Sequence, residues 1–305
     1  MTPDDQAPAP DGLAVVDKPA GWTSHDVVAK SRGLLRTRKV GHAGTLDPDA
    51  TGVLLLGVGR ATRLLRYLSP LGKSYVGDVV LGVETSTLDA AGEVTARHDM
   101  AGVTLADVQQ MAAERFMGRI EQVPPMVSAI KVGGQRLHKL ARAGVTVDRE
   151  ARPVTIAALS IDPVAGEAGV FRMSVDCSSG TYVRSLAADL GSALGGGAHL
   201  RNLRRTAVGP YTLDEAVPLD SLGPEAVRPM TEAVRHLRSV TADEELAAAV
   251  AFGKVLERDD LIGAGASDDH DDGPWAVLNA TGDLLAVYEP HRGSTVKPAV
   301  VVAVS

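Results

Sequence analysis

Between Gly41 and Gly52 the chain reads GHAGTLDPDATG and then runs directly into the apolar stretch Val53–Val58, VLLLGV. No other segment limits the fold so strongly. A short continuous apolar run after turn residues reads as a buried strand. Gly41, Gly44 and Gly52 permit tight backbone and close approach by a ligand. They enclose two carboxylates, Asp47 and Asp49. Pro48 restricts Asp47 to extended or turn conformations. A surface turn needs no such construction, whereas a carboxylate fixed by backbone for chemistry does.

The elements around it follow from periodicity and punctuation. Residues 12–17 form a strand that ends in the turn DKPAG, Asp17–Gly21. Thr23-Ser24 caps a helix with Asp26 in its first turn. Residues 61–68 read as a short amphipathic helix, 74–84 as an alternating strand, 88–94 as a hairpin or turn and 105–118 as a helix. Two strands are expected at 153–162 and 170–177, and a helix at 181–194. Residues 222–247 read as an acidic helix, 275–278 and 284–288 as a hairpin, and 296–304 as a last strand. The expected organisation is a tail over 1–11, a main body over 12–238 and a small β-rich unit over 239–305.

Charge adds a contrast. The chain carries a net −7, yet residues 214–305 hold 17 acids against 7 bases. Residues 17–75 hold 10 bases against 4 acids. A basic zone therefore surrounds the glycine-rich segment, which reads either as a phosphate-binding face on a protein that is acidic overall or as a solvated helix face. The single cysteine, Cys177, gives no disulfide framework within the chain and no cysteine zinc site. No apolar run approaches the ~18 residues of a membrane span, so the expected location is the cytoplasm.

Several familiar motifs fail. Tyr67 stands where a P-loop preceding Gly72-Lys73-Ser74 needs glycine. Gly57-Val58-Gly59 lacks the third glycine of a dinucleotide fingerprint. The run 268–273 imitates a calcium loop but has His270 at the third ligand position and Asn279 at the twelfth, so it reads as a solvated loop. With only ten aromatic residues, an RNA-stacking sheet is unsupported.

What remains is DKPAG, the segment Gly41–Gly52, Lys73-Ser74-Tyr75, and CSSGTYVR, Cys177–Arg184. With GVETSTLDAAGEV at 82–94, PPMVSAIKVGGQRLHKLARAG at 124–144 and GAHLRNLRRTAVG at 197–209, they strongly resemble the TruB family of tRNA pseudouridine synthases, in its bacterial, actinobacterial form. The resemblance extends over most of 12–215 and fades beyond ~240. It implies an α+β pseudouridine synthase fold, with a mixed, largely antiparallel sheet flanked by helices and a small PUA-like C-terminal domain.

The resemblance also implies the chemistry. Uracil is detached from C1′ of its ribose, rotated and rejoined through C5, at uridine 55 of the tRNA T-loop and without metal or organic cofactor. The indispensable aspartate maps to Asp47, which attacks C1′ or C6 or removes the C2′ proton; the sequence leaves these open. Arg184 maps to its ion-pair partner. Tyr75 maps to the tyrosine that stacks on the base and serves in proton transfer. Tyr182 and Leu203 are expected to wall the uracil pocket, with Gly44, Thr45, Lys18 and Lys73 as further substrate contacts. His42 resembles the histidine that fills space left by flipped bases. Asp49 stands where the family usually has an apolar residue and is expected to face solvent. Lys131, Arg136, His138, Lys139, Arg142, Arg201, Arg204 and Arg205 are the expected RNA-backbone contacts. Gly133-Gly134 and the basic stretch after it, within an insertion over about 124–150, resemble the segment that closes on the T-arm. The expected partner is tRNA, with no membrane, no required protein partner and a monomeric enzyme. Two other readings are an RNA-binding or tRNA-folding protein in which catalysis is secondary, and a glycosidase, which usually needs two placed carboxylates. Only Asp47 has a supporting shell here.

Overall fold

The structure, a computed structural model, describes residues 10–128, 131–132, 135–136, 145, 147–263 and 272–302. The main sheet is built from β1 (Gly12–Lys18), β2 (Val40–His42), β3 (Thr51–Val58), β4 (Lys73–Leu81), β7 (Gly118–Gln122), β10 (Arg152–Pro163), β11 (Val170–Cys177), β12 (Ala198–Val208), β13 (Tyr211–Thr212) and β14 (Val217–Pro218). The small pairs β5 (Val83–Thr85) with β6 (Val94–Arg97) and β8 (Lys131–Val132) with β9 (Gln135–Arg136) lie off it. Its order is β14-β1-β3-β12-β4-β11-β10-β7, with β2 on β3 and β13 on β12. Neighbours are antiparallel except β1–β14 and β3–β12.

Strand β3 lacks alternation because both its faces are covered. Leu54, Leu56 and Val58 pack with Val27, Val28 and Leu35, which come from or follow helix α1 (Ser24–Leu34). Val53 and Leu55 pack on the other side with Leu64, Leu68 and, from the C-terminal sheet, Ala276, Val287 and Val300. Thr23 caps α1 through a reciprocal pair of bonds with Asp26, the arrangement that satisfies two orphan donors at a helix start. Residues 61–68 split into a 3-10 turn, Gly59–Leu64, and the short α2 (Leu65–Leu68). The helix expected to reach Gly118 ends earlier, as α3 (Leu105–Arg115). Gly118 has φ +75° and starts β7. Helix α4 (Val183–Ala193) packs its Val183, Leu186 and Leu190 against β4, β11 and β12.

The expected helix over 222–247 is corrected. Pro224 and Pro229 break it into 3-10 turns at Pro224–Ala226 and Met230–Val234. Arg235 is then drawn to Glu215 and Glu232. The chain continues as β15 (Arg238–Thr241) and α5 (Glu244–Ala251). After β16 (Leu256–Glu257) and α6 (Arg258–Ile262), the hairpin β17 (Trp275–Leu278) and β18 (Leu284–Pro290) and the strand β19 (Thr295–Val301) complete a second sheet, ordered β15-β17-β18-β19-β16. It is joined to the main body through apolar packing and through Arg60 and Arg63, which donate to Val302 O and Val301 O. Asp11, expected in the tail, binds the Arg60 backbone and side chain. Tail residues 1–9 and most of the run 268–273 lie outside the described residues. Among the described residues no helix is long and apolar enough to cross a membrane.

Candidate active site

The loop between β2 and β3 presents Asp47 to a cleft, and its backbone is held from three sides. Ser24, the first residue of α1, is buried; its Oγ accepts from Leu46 N (2.9 Å) and donates to Leu46 O (3.2 Å). Lys18, at the end of β1, donates through Nζ to Pro48 O (2.8 Å), Trp22 O (2.6 Å) and Pro19 O (2.9 Å). Arg205, on β12, donates to Val53 O (2.7 Å), Gly44 O (3.3 Å) and Thr45 O (3.4 Å). Three side chains from three elements thus hold successive loop carbonyls, as a buried loop with no ladder of its own requires.

Two expectations change with this geometry. Lys18 is fully buried and all three of its donors are spent on carbonyls, so it fixes the loop and does not reach the substrate. Burial pushes its ammonium down to about 8. Arg205, expected on RNA phosphate, is also fully buried and braces the loop from beneath the cleft. A charge is tolerated in such a position when every donor is met.

The glycines are explained by position. Gly44 has φ +106° and Gly52 φ +104°. At Gly52 a Cβ would stand 2.1 Å from Arg205 O, because β3 and β12 pair there. Gly52→Ala is therefore expected to destabilise the protein by on the order of 3 kcal/mol, from strain plus overpacking. A thermal melt checks it, and an unchanged Tm would show that the contact relaxes.

Asp47 faces Arg184 from the first turn of α4. Nε stands 2.9 Å from Oδ2 and Nη2 3.2 Å from Oδ1, a two-pronged pair. Arg184 itself is buried, with 4 % of its side chain exposed, whereas 39 % of the Asp47 side chain opens onto the cleft. The guanidinium also donates to Thr87 O (2.7 Å) and Val127 O (2.9 Å) and lies 3.4 Å from Asp89 Oδ2. Loss of water around Asp47 raises its carboxyl above the usual aspartate value of 3.8; Arg184 opposes that rise and Asp89 adds to it. Asp49 is exposed, as expected.

The cleft holds a cavity of about 270 Å³ lined by Asp47, Tyr75, Tyr182, Leu203, Lys73 and Arg205 among others. Ordinary small-ligand pockets begin near ~300 Å³, so this one fits a single planar base. Gly44 and Thr45 are also on its wall. Tyr75, buried on β4, shares a hydrogen bond with Arg205; burial raises its phenol, which stays protonated at neutral pH. Tyr182 is held by Gln122, whose side chain accepts from Tyr182 N (2.7 Å) and donates to Tyr182 O (3.0 Å). Leu203 reaches the cavity because β12 bulges between Arg201 and Arg204, with Asn202 at φ +54°. Lys73 donates to Ser69 O (3.0 Å) and Leu71 O (2.7 Å), and burial lowers its ammonium to about 8.

His42 stands apart from this cavity, half-buried on β2 and edge-on to His25, with ring centroids 5.3 Å apart. Burial lowers its pKa, so the ring is neutral at pH 7. Arg201 is paired with Glu167 (2.6 Å) and Asp78 (3.6 Å), and Arg204 with Asp17 (2.7 Å). Both are thus engaged in ion pairs within the protein while staying partly exposed. Lys131 and Arg136 fall on the β8–β9 pair. His138, Lys139, Arg142 and the Gly133-Gly134 turn lie outside the described residues. Sequence reading missed Ser24 as a loop anchor, Gln122 and Asp89. Asp89 sits within a motif already singled out, but Gln122 gives no signal on its strand.

The model of the TruB family pseudouridylate synthase N-terminal domain matches residues 32–183, and that of the tRNA pseudouridylate synthase B C-terminal domain matches 184–247. The tRNA pseudouridine synthase B of Streptomyces coelicolor is 48 % identical over 301 residues, covering 95 % of this chain and 97 % of that one. That of Arthrobacter sp. is 47 % identical over 305 residues, covering 96 % and 97 %. Among solved structures, one from a Cbf5-Nop10-Gar1 complex superposes with a TM-score of 0.73 at 28 % identity, covering 99 % of this chain and 90 % of that chain. With both family models matching in tandem and such relatives aligned nearly end to end, the chain belongs to the TruB family of pseudouridylate synthases.

Proposed function

We propose that the protein isomerises uridine 55 in the T-loop of tRNA to pseudouridine, with Asp47 as the essential carboxylate. The observation that carries the reading is the two-pronged Asp47–Arg184 pair at the wall of a base-sized cavity lined by Tyr75, Tyr182 and Leu203. The bacterial relatives that align nearly end to end are named tRNA pseudouridine synthase B. The target base leaves its stack and enters the cavity, at a cost of ~a few kcal/mol. Tyr75 and Tyr182 offer aromatic surface to the ring, and Leu203 closes the apolar side. The N1–C1′ bond breaks, the ring turns, and C5 bonds to C1′. The C5 proton is lost and N1 gains one, so no redox partner is needed. Arg184 holds Asp47 ionised and aimed, whether the carboxylate attacks C1′ or C6 or removes the C2′ proton. In this reading residues 12–238 form the catalytic unit and 239–305 its C-terminal module.

A T-arm stem-loop RNA carrying tritium at uracil C5 tests it, since the new carbon–carbon bond releases that tritium to water. Release from this RNA, and none from an RNA whose only label lies outside the target uridine, is the expected result. No release despite binding overturns the reading in favour of an RNA-binding role.

The pH profile follows from the same geometry. Asp47 must be ionised, and its pKa is raised above 3.8. Turnover should therefore fall as the pH drops through a value above the ordinary aspartate range, read as the acid limb of kcat/KM. An acid limb at or below pH 3.8 would contradict the assignment.

A further inference from the structure

One charged feature is unused by the site. Residues 30–39 contain five bases and no acid: Lys30, Arg32, Arg36, Arg38 and Lys39. The fold gathers them at one corner. Arg32 donates to Val40 O (3.2 Å), and Gly59 N donates to Lys39 O (2.7 Å), so the end of α1, the start of β2 and the 3-10 turn after β3 meet there. That turn adds Arg63. Lys30, Arg32, Arg38, Lys39 and Arg63 are exposed, and among the described residues none forms an ion pair with a carboxylate. Asp11, whose charge reaches Lys39, is engaged by Arg60. Elsewhere pairing is common: Arg172, Arg201, Arg204, Arg228 and Arg235 all meet acids. Exposed cations at Lys30, Arg32, Arg38, Lys39 and Arg63 on a chain of net charge −7 give this corner a local positive field that favours an anionic polymer.

The register fixes where it lies. Val40 pairs with Val58 and His42 with Leu56, whereas the catalytic loop re-enters β3 at Thr51. Six residue steps run from Gly52 to Val58, roughly 20 Å at ~3.3 Å per step. That is several base-pair steps of a duplex.

We propose that this corner, with Arg38 and Lys39 at its centre, binds the phosphate backbone of the tRNA helix that leads away from the flipped uridine, forming a second RNA-binding surface. The proposal rests on the reading of the protein as a tRNA uridine isomerase. It assigns the corner no part in the chemistry, only in affinity and register.

Arg38→Gln with Lys39→Gln tests it on full-length unmodified tRNA. Among the described residues neither side chain forms a hydrogen bond, so folding is expected to be intact, and a melt checks this. KM should rise about tenfold with kcat unchanged. The plot of log K against log salt should become shallower by roughly one to two, the loss of that many phosphate contacts. Arg115→Gln with Arg119→Gln, exposed near the opposite edge of the sheet, removes the same net charge and should change neither. Unchanged KM and slope in the first variant, or equal changes in both, would overturn the proposal. If the unaltered protein binds tRNA but releases no tritium, the isomerase reading fails, and the salt slopes still decide the corner on their own.

Discussion

Asp47→Asn is expected to lower tritium release from the T-arm RNA by about 10⁴-fold or more while leaving RNA affinity within about threefold, the scale on which an essential carboxylate or nucleophile acts. The amide keeps the shape of the carboxylate but supplies neither its charge nor its basicity. The stability prediction is less obvious. Asp47 is ionised against a net unfavourable environment, because lost hydration outweighs the help from Arg184 and its pKa is raised. A carboxyl whose folded pKa lies above its unfolded one costs stability once the pH exceeds the folded value. Replacing it by a neutral isostere removes that cost, and Arg184 keeps Asp89 at 3.4 Å and the carbonyls of Thr87 and Val127. The variant should therefore melt at or above the temperature of the unaltered protein at neutral pH. Full activity in Asp47→Asn would remove the carboxylate from the mechanism. A marked fall in Tm would show that its main role is structural.

The same loop shows what sequence alone could convey. The apolar run after Gly52 marks a buried strand because no alternation survives when helices and a second sheet cover both faces. Asp47, Tyr75 and Arg184 are far apart in the chain, and only motif resemblance brings them together before the fold does. Residues recruited through tertiary geometry were misread or missed. Lys18 and Arg205 look like surface cations, since a sequence gives the charge of a side chain but not its burial. Their donors meet carbonyls of loops up to 161 residues away in the chain, at Gly44 in the case of Arg205. Gln122 is a strand residue like many others until its amide is seen holding both backbone groups of Tyr182. The segment 222–247 was misjudged for a local reason. Its acidic and apolar spacing suits a helix, but Pro224, Pro229 and the pairing of Arg235 with Glu215 decide otherwise.

Arg184 is the second position at which a large effect is expected. Its guanidinium serves Asp47, Thr87 O and Val127 O with a planar fork of donors. An ammonium carries the charge but cannot reach three partners in those directions. Arg184→Lys should thus fold and keep a measurable but greatly reduced kcat, by about 10²–10³-fold, because Asp47 is no longer held at one angle. Arg184→Met removes the charge as well. It leaves Asp47 and Asp89 facing each other without a cation between them. The two variants differ in a way that a merely structural arginine would not produce. Without the positive neighbour, the carboxyl of Asp47 is harder to ionise, so the acid limb of kcat/KM should move to higher pH in Arg184→Met, and by less in Arg184→Lys. If both variants lose activity with the acid limb unmoved, Arg184 supports the fold of the cleft and does not tune Asp47. If the limb moves as expected, the ion pair sets both the aim and the ionisation of the carboxylate. The glycine-rich loop, its three anchoring side chains and the first turn of α4 then serve one purpose, which is to keep a single charged oxygen pair at the wall of a base-sized cavity.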